Sequence, residues 1–271
     1  MTRLKTVALG VLGLIVGLSG FTFAHGHSTP PLRPTATRAP KPTTASRAVP
    51  TPPPPIVQSV INWSGYQWDV RGPGGNPSAP GPNYWDDSTN AVSVDNAGNL
   101  KLNVWYDGSR WRTAEVDEAQ PLGYGTYKWV VGTNLAGQDL WTVLGLFTYD
   151  GSATANAVHS ENDIEFSRWG APAASPLTFT VIPGGSGQRR FVPNVGADAP
   201  YTCTLVWRPG SVRFTVTGAG GETIGDFTST AGVQSPNNAI PVINWYLSEG
   251  HAPQTDARQS VTIKSFSFTP N

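Results

Sequence analysis

From Ile56 onward the chain carries no long run of apolar residues at helical spacing. Short runs rich in Val, Thr, Phe, Tyr and Trp recur instead, separated by Gly, Pro, Asn and Asp, which is the pattern of a sandwich or barrel. They predict strands over 100–105, 113–118, 125–131, 141–149, 162–168 and 177–182, and again over 202–207, 212–217, 239–247 and 261–268. Strand side chains alternate between faces. The last run follows that rule, with Val261 and Ile263, then Phe266 and Phe268, spaced by polar residues. Its phase breaks at Ser265, which predicts a bulge. Ten or more strands exceed what one flat sheet carries, so the expected fold is all-β: two packed antiparallel sheets of the jelly-roll class.

The N-terminal residues follow a different rule. Arg3 and Lys5 precede an apolar run from Val7 to Phe23, and small residues surround Ala24. That layout predicts a signal peptide over 1–24, with Thr22 and Ala24 flanking the cut. An uncleaved anchor is the alternative, although the run sits near the lower limit of about 17 residues for a spanning helix and four glycines weaken it. Either way the remainder is exported, whether secreted, cell-surface or periplasmic. Residues 25–55 then read as a linker. His27 to Pro55 holds ten prolines, four basic residues and no acid, a composition that favours a semi-rigid, extended spacer. Its charges either hold it near an anionic surface or are simply solvated.

Residues 56–271 remain as one globular domain, within the size of a large single β domain. All six basic residues before position 56 lie outside it, which leaves 12 Lys and Arg against 18 Asp and Glu, a net charge near −6. A nucleic-acid binder would need a basic stripe, so that class is excluded. With one cysteine, Cys203, no intrachain disulfide can form, and its apolar strand predicts burial. All ten tryptophans fall inside the domain. Each buried indole N–H needs a partner, so ten are many for one core. Core packing suits any single one best, but some are expected to line a groove, where aromatic planes stack on sugar rings.

The segment His159-Ser-Glu-Asn-Asp-Ile-Glu-Phe-Ser-Arg-Trp169 carries the chemistry. On a strand, Glu161, Asp163 and Glu165 share one face, while Asn162, Ile164 and Phe166 take the other. Three acids along one face oppose stability. A retaining glycosidase, however, needs two carboxyl groups about 5 Å apart, a nucleophile and an acid/base. The Cα atoms of residues four apart on a strand are about 13 Å apart. Two Glu side chains leaning over a shorter Asp can close most of that gap, and the Asp can hold them in different protonation states. A solvated acidic face, or a calcium site, would show the same alternation.

Glu161-Asn-Asp163-Ile-Glu165-Phe166 resembles the Glu-x-Asp-x-Glu-aromatic signature of glycoside hydrolase family 16, differing from bacterial lichenases mainly at Asn162. The similarity continues in Ala114-Glu115, Gly123-Tyr-Gly-Thr-Tyr127, Phe147-Thr-Tyr149, Trp207-Arg-Pro-Gly-Ser-Val-Arg-Phe214 and Pro241-Val-Ile-Asn244-Trp245, in the family's order from about Asn83 to Phe268. The resemblance implies a concanavalin A-like jelly roll with an open groove. It implies Glu161 as nucleophile, Glu165 as acid/base and Asp163 as the auxiliary carboxylate. It also implies Asn83, Trp85 and Glu115 at the sugar cleft, with Asn244 and Trp245 on the facing strand. Three features depart from lichenases. His159 replaces an aromatic two residues before the nucleophile. Thr180 and Ile182 stand where polar and tyrosine cleft residues are usual. Tyr201 and Thr217-Gly218 replace a His and an Asp-Gly turn. The triad is kept, and the preferred glycan is left open. His159 is a candidate partner for substrate or for Glu161, or a passive rim residue.

These readings lead to a retaining endo-glycosidase acting on a polysaccharide, a β-1,3- or β-1,3-1,4-glucan first. The expected enzyme needs no cofactor, binds neither nucleic acid nor membrane after signal cleavage, and is a monomer; a structural calcium is left open. A transglycosylase would use the same residues with a sugar hydroxyl replacing water. A lectin-like module on the same sandwich would bind glycan without cutting it.

Overall fold

The computed structural model describes residues 58–152, 159–183, 189–196 and 198–271; the expected leader (1–24) and linker (25–55) lie outside them. Among the described residues, the strands in chain order are β1 (Val60–Trp63), β2 (Tyr66–Val70), β3 (Val92–Val94), β4 (Leu100–Tyr106), β5 (Trp111–Arg112), β6 (Ala114–Glu118), β7 (Gly125–Val131) and β8 (Thr142–Asp150). They continue with β9 (Ser160–Ser167), β10 (Leu177–Ile182), β11 (Arg189–Val192), β12 (Tyr201–Arg208), β13 (Ser211–Thr217), β14 (Thr223–Ser229), β15 (Ile240–Leu247) and β16 (Gln259–Pro270). One 3-10 turn at Ser248–Gly250 is the sole helical element among them.

Two antiparallel sheets form. The first runs β1-β2-β6-β15-β8-β9-β10-β11, and the second β14-β13-β12-β7-β16-β4-β3 with β5 hydrogen-bonded to β4. This is the expected two-sheet jelly-roll sandwich. Its strands follow the alternation in the sequence. Strand β12 runs buried and half-buried by turns from Tyr201 to Trp207, and β7 alternates likewise from Gly125 to Val131 with Lys128 fully on the exposed side. The expected bulge is present: the pairing of β16 with β7 shifts register between Ile263 and Ser265, leaving Lys264 exposed. A second shift at Val216/Thr217 had no clear sequence signal.

The inner faces of both sheets meet in one apolar core that includes Ile164, Phe166, Phe179, Trp129, Phe214 and Phe266. Phe266 touches three aromatic neighbours there, with its ring 5.2 Å from Trp68, 5.5 Å from Trp129 and 5.0 Å from Tyr66. Phe179 of the first sheet stacks on Phe214 of the second at 5.4 Å, fixing how the sheets meet. Rings packed this way gain directional contact beyond the area they bury. Cys203 is buried as expected, and burial pushes its thiol pKa upward, away from reactivity. The core therefore claims one face of the first sheet, and the other face is free to form a site.

Candidate active site

Strand β9 divides its side chains as the alternation requires. Ile164 and Phe166 are buried in the core, while Glu161, Asp163 and Glu165 line a cavity of about 610 Å³ on the outer face. Asn162 points inward too, and its Nδ2 donates to Thr148 Oγ1 at 3.0 Å across the β8–β9 pair. That bond accounts for a polar residue on the core side.

Strand register brings other groups to the acids. Glu165 faces Gly145 on β8, which faces Asn244 on β15, which faces Glu115 on β6. On the next row Asp163 aligns with Phe147, Val242 and Asp117, and on the third Glu161 aligns with Tyr149 and Ile240. On the other flank Thr178, Thr180 and Ile182 of β10 face Glu165, Asp163 and Glu161, and Arg189 of β11 faces Thr180. The buried hydroxyls of Thr178 and Thr180 have no hydrogen-bond partner among the described residues.

One end of the cavity is braced by a polar relay. Arg71 Nη1 donates to Glu115 Oε1 at 2.6 Å, Asn244 Nδ2 donates to Glu115 Oε2 at 3.1 Å, and the Gly145 N–H donates to Asn244 Oδ1 at 3.2 Å. The Arg71 guanidinium also lies 4.3 Å over the Trp85 ring, in cation–π range. A Cβ at position 145 would collide with Asn244 Oδ1 and press on Phe147, so any larger residue must displace that amide.

The electrostatics separate the carboxyl groups. Burial, then the charge of Glu161, pushes Glu165 up to about 7, with Arg189 opposing. Burial and both glutamates raise Asp163 well above the usual carboxylate range. Glu161 is raised by burial, but His159 works against the rise, its Nε2 lying 3.2 Å from Glu161 Oε2. Neither Asp163 nor Glu165 has a hydrogen-bond partner among the described residues, and both keep their lone pairs for a ligand or each other. Burial also raises Glu115, against Arg71, and takes Asp117 to about 7. The arrangement can hold one carboxylate ionised and a second protonated in the same cavity near neutral pH.

The cavity thus gathers Glu161, Asp163, Glu165, Glu115, His159 and Asn244. Three expected cleft residues lie elsewhere. Trp245 is on the core side of β15, its Nε1 donating to Gln259 O. Alternation from Asn244 requires this and gives the cavity to Tyr246 instead. Asn83 is buried and spent on backbone: its Nδ2 donates to Pro80 O and Leu247 O, and its Oδ1 accepts from the Leu247 N–H. Trp85 is buried behind Tyr246, at 6.4 Å between rings. No tryptophan lines the cavity among the described residues, contrary to the expected aromatic platform. Its aromatic surface comes from Phe147, Tyr149 and Tyr246. The first two stand at alternate positions from Gly145 and were legible on that ground. Arg71, just after β2, and Arg189, on β11, carry no such signal, because neither strand is among those predicted from the sequence.

No protein-family model and no curated protein sequence matches the chain. Solved structures do. A Bacillus licheniformis β-glucanase is 17% identical, covers 82% of this chain and all of its own length, and gives a TM-score of 0.59. A Mycobacterium tuberculosis protein described as an immunostimulatory antigen and pseudo β-1,3-glucanase is 20% identical over 75% of this chain and 91% of its own, with a TM-score of 0.55. A glycoside hydrolase family 16 endo-glucanase from Bacteroides ovatus is 11% identical over 74% and 94%, also at 0.55. At such identities what is shared is the architecture: this chain folds as the glucanase-type jelly roll.

Proposed function

We propose that the protein is a secreted retaining endo-glycosidase of the family 16 type, hydrolysing a β-1,3- or β-1,3-1,4-linked glucan. The observation that carries this reading is the unequal treatment of two glutamates in one cavity: Glu161 is paired with His159, whereas Glu165 has no hydrogen-bond partner among the described residues and is raised to about 7. Glu161, ionised, attacks the anomeric carbon, and Glu165, protonated, donates to the departing glycosidic oxygen. Glu165 then takes a proton from water, which releases the sugar from Glu161. Asp163 lies between them, and its preference for the neutral form lets it share a proton with either neighbour. The long, open sheet face suits a chain entering sideways, hence internal cleavage.

The test is reducing-end release from mixed-linkage β-glucan, laminarin, xyloglucan and agarose, beside Glu161→Gln. Release by the parent at least 10³-fold above the variant is expected, the scale of losing a nucleophile. The likeness to a protein described as a pseudo β-1,3-glucanase favours one second reading, a module that binds glycan without cutting it. Retention of a glycan by both proteins with release by neither would establish that reading in place of hydrolysis. Sizing products with an added oligosaccharide acceptor separates water from sugar as the second nucleophile.

A further inference from the structure

His159 stands two residues before Glu161, immediately ahead of β9, and lines the same cavity. Its Nε2 lies 3.2 Å from Glu161 Oε2. Its ring lies 5.6 Å from that of Tyr149 at 37°, and Tyr149 is the cross-strand partner of Glu161. Three side chains therefore close a small circuit: β8 supplies the prop, the residue before β9 supplies the imidazole, and the third member is the carboxylate. Glu161 remains partly open to the cavity, with 19% of its side chain exposed, and His159 sits at the rim with 43% exposed.

We propose that His159 is a positioning residue for Glu161: its Nε2–H holds Oε2, and its ring, propped by Tyr149, leaves the other carboxylate oxygen free to attack. The role given to Glu161 rests on the glycosidase reading, but the pairing does not. A donor on one oxygen restricts rotation of the carboxylate and favours its charged form. The charges facing Glu161 explain the need. Glu115 on β6 pushes it towards the neutral form, and Asp163 and Glu165 share its strand face. Tyr149 of β8 and Tyr246 of β15 carry hydroxyls that burial, and then the nearby acids, keep protonated. Ile182, opposite on β10, is apolar, and Arg189 of β11 acts on Asp163 and Glu165. The adjoining residues 153–158 contain no acid or base. Among the described residues His159 is thus the group beside Glu161 that favours its ionised form.

The experiment follows the carboxyl carbon of Glu161 by NMR in protein labelled with glutamate carrying ¹³C at Cδ. Parent, His159→Phe and His159→Gln are titrated, and Glu161→Gln assigns the signal. Loss of the imidazole in His159→Phe should raise the Glu161 midpoint by about one pH unit, the lower part of the range for a neighbouring charge. His159→Gln, which keeps a donor without charge, should fall between. The acidic limb of kcat/KM on the hydrolysed glucan should move with the midpoint. A midpoint in His159→Phe that overlays the parent overturns the proposal, whatever the activity. A midpoint that moves in a protein that cleaves none of the glycans supports the pairing and refutes the glycosidase reading instead.

Discussion

Replacing Glu165 with Gln should make the protein more stable at alkaline pH while disabling it. The glutamate is ordinarily half-ionised at 4.5 and in the fold at about 7. Below 4.5 it is protonated whether folded or not, so the parent suffers no penalty there. Between the two values the unfolded chain releases the proton while the folded one keeps it, so stability falls as pH rises. The loss is complete above about 7. Each pH unit in that interval is worth ~1.4 kcal/mol, so the whole interval amounts to ~3 kcal/mol at most. Glu165 is half-buried, and water in the cavity screens part of this, leaving about 1–3 kcal/mol. Glutamine keeps the shape and carries no charge to desolvate. Urea unfolding at pH 4.5 and pH 8 measures the difference. The variant's midpoint, relative to the parent, should rise by roughly 0.5–1.5 M between the two conditions at unchanged slope. An equal offset at both pH values would mean that the cavity does not disfavour the charge, and the acid/base assignment would lose its physical basis.

Two further outcomes follow from the walls of the site. Gly145→Ala should cost about 1–3 kcal/mol in thermal or urea unfolding, because the new methyl displaces Asn244 and strains a well-packed floor; kcat/KM should fall alongside, since Asn244 holds Glu115. Asn162→Ile alone should destabilise by about 1–2 kcal/mol by orphaning Thr148 Oγ1, whereas Asn162→Ile with Thr148→Val should return close to the parent. A double-mutant cycle with no coupling would show that the bond contributes nothing.

The ten strands read from the sequence are five residues or longer, and each either alternates or carries a sustained apolar and β-branched run. The six that escaped are short or face water on most sides. Strand β11 has a single buried residue, Val192, and strand β5 has only two residues, so periodicity had little to act on. The β1–β2 hairpin did carry a signal, with Ile61, Trp63, Trp68 and Val70 buried around Ser64-Gly65. The same contrast governs the site. Glu161, Asp163 and Glu165 needed only parity along one strand. Trp245 was misplaced because a matched motif fixes position in the chain, whereas parity from Asn244 fixes the face. Arg71 depended on β2 pairing with β6, a contact between segments far apart in sequence that no local pattern encodes.

The relay from Arg71 through Glu115 and Asn244 to the Gly145 amide has a mechanical consequence. Among the described residues no second layer covers the outer face of the first sheet, so ties across its strands are what stiffen it. Side-chain bonds directed perpendicular to the chain tie β6, β15 and β8 together along that axis. The cavity wall is thereby braced before any ligand binds, and under the proposed function a glycan chain would meet a seat already shaped, with little entropy left to surrender on docking.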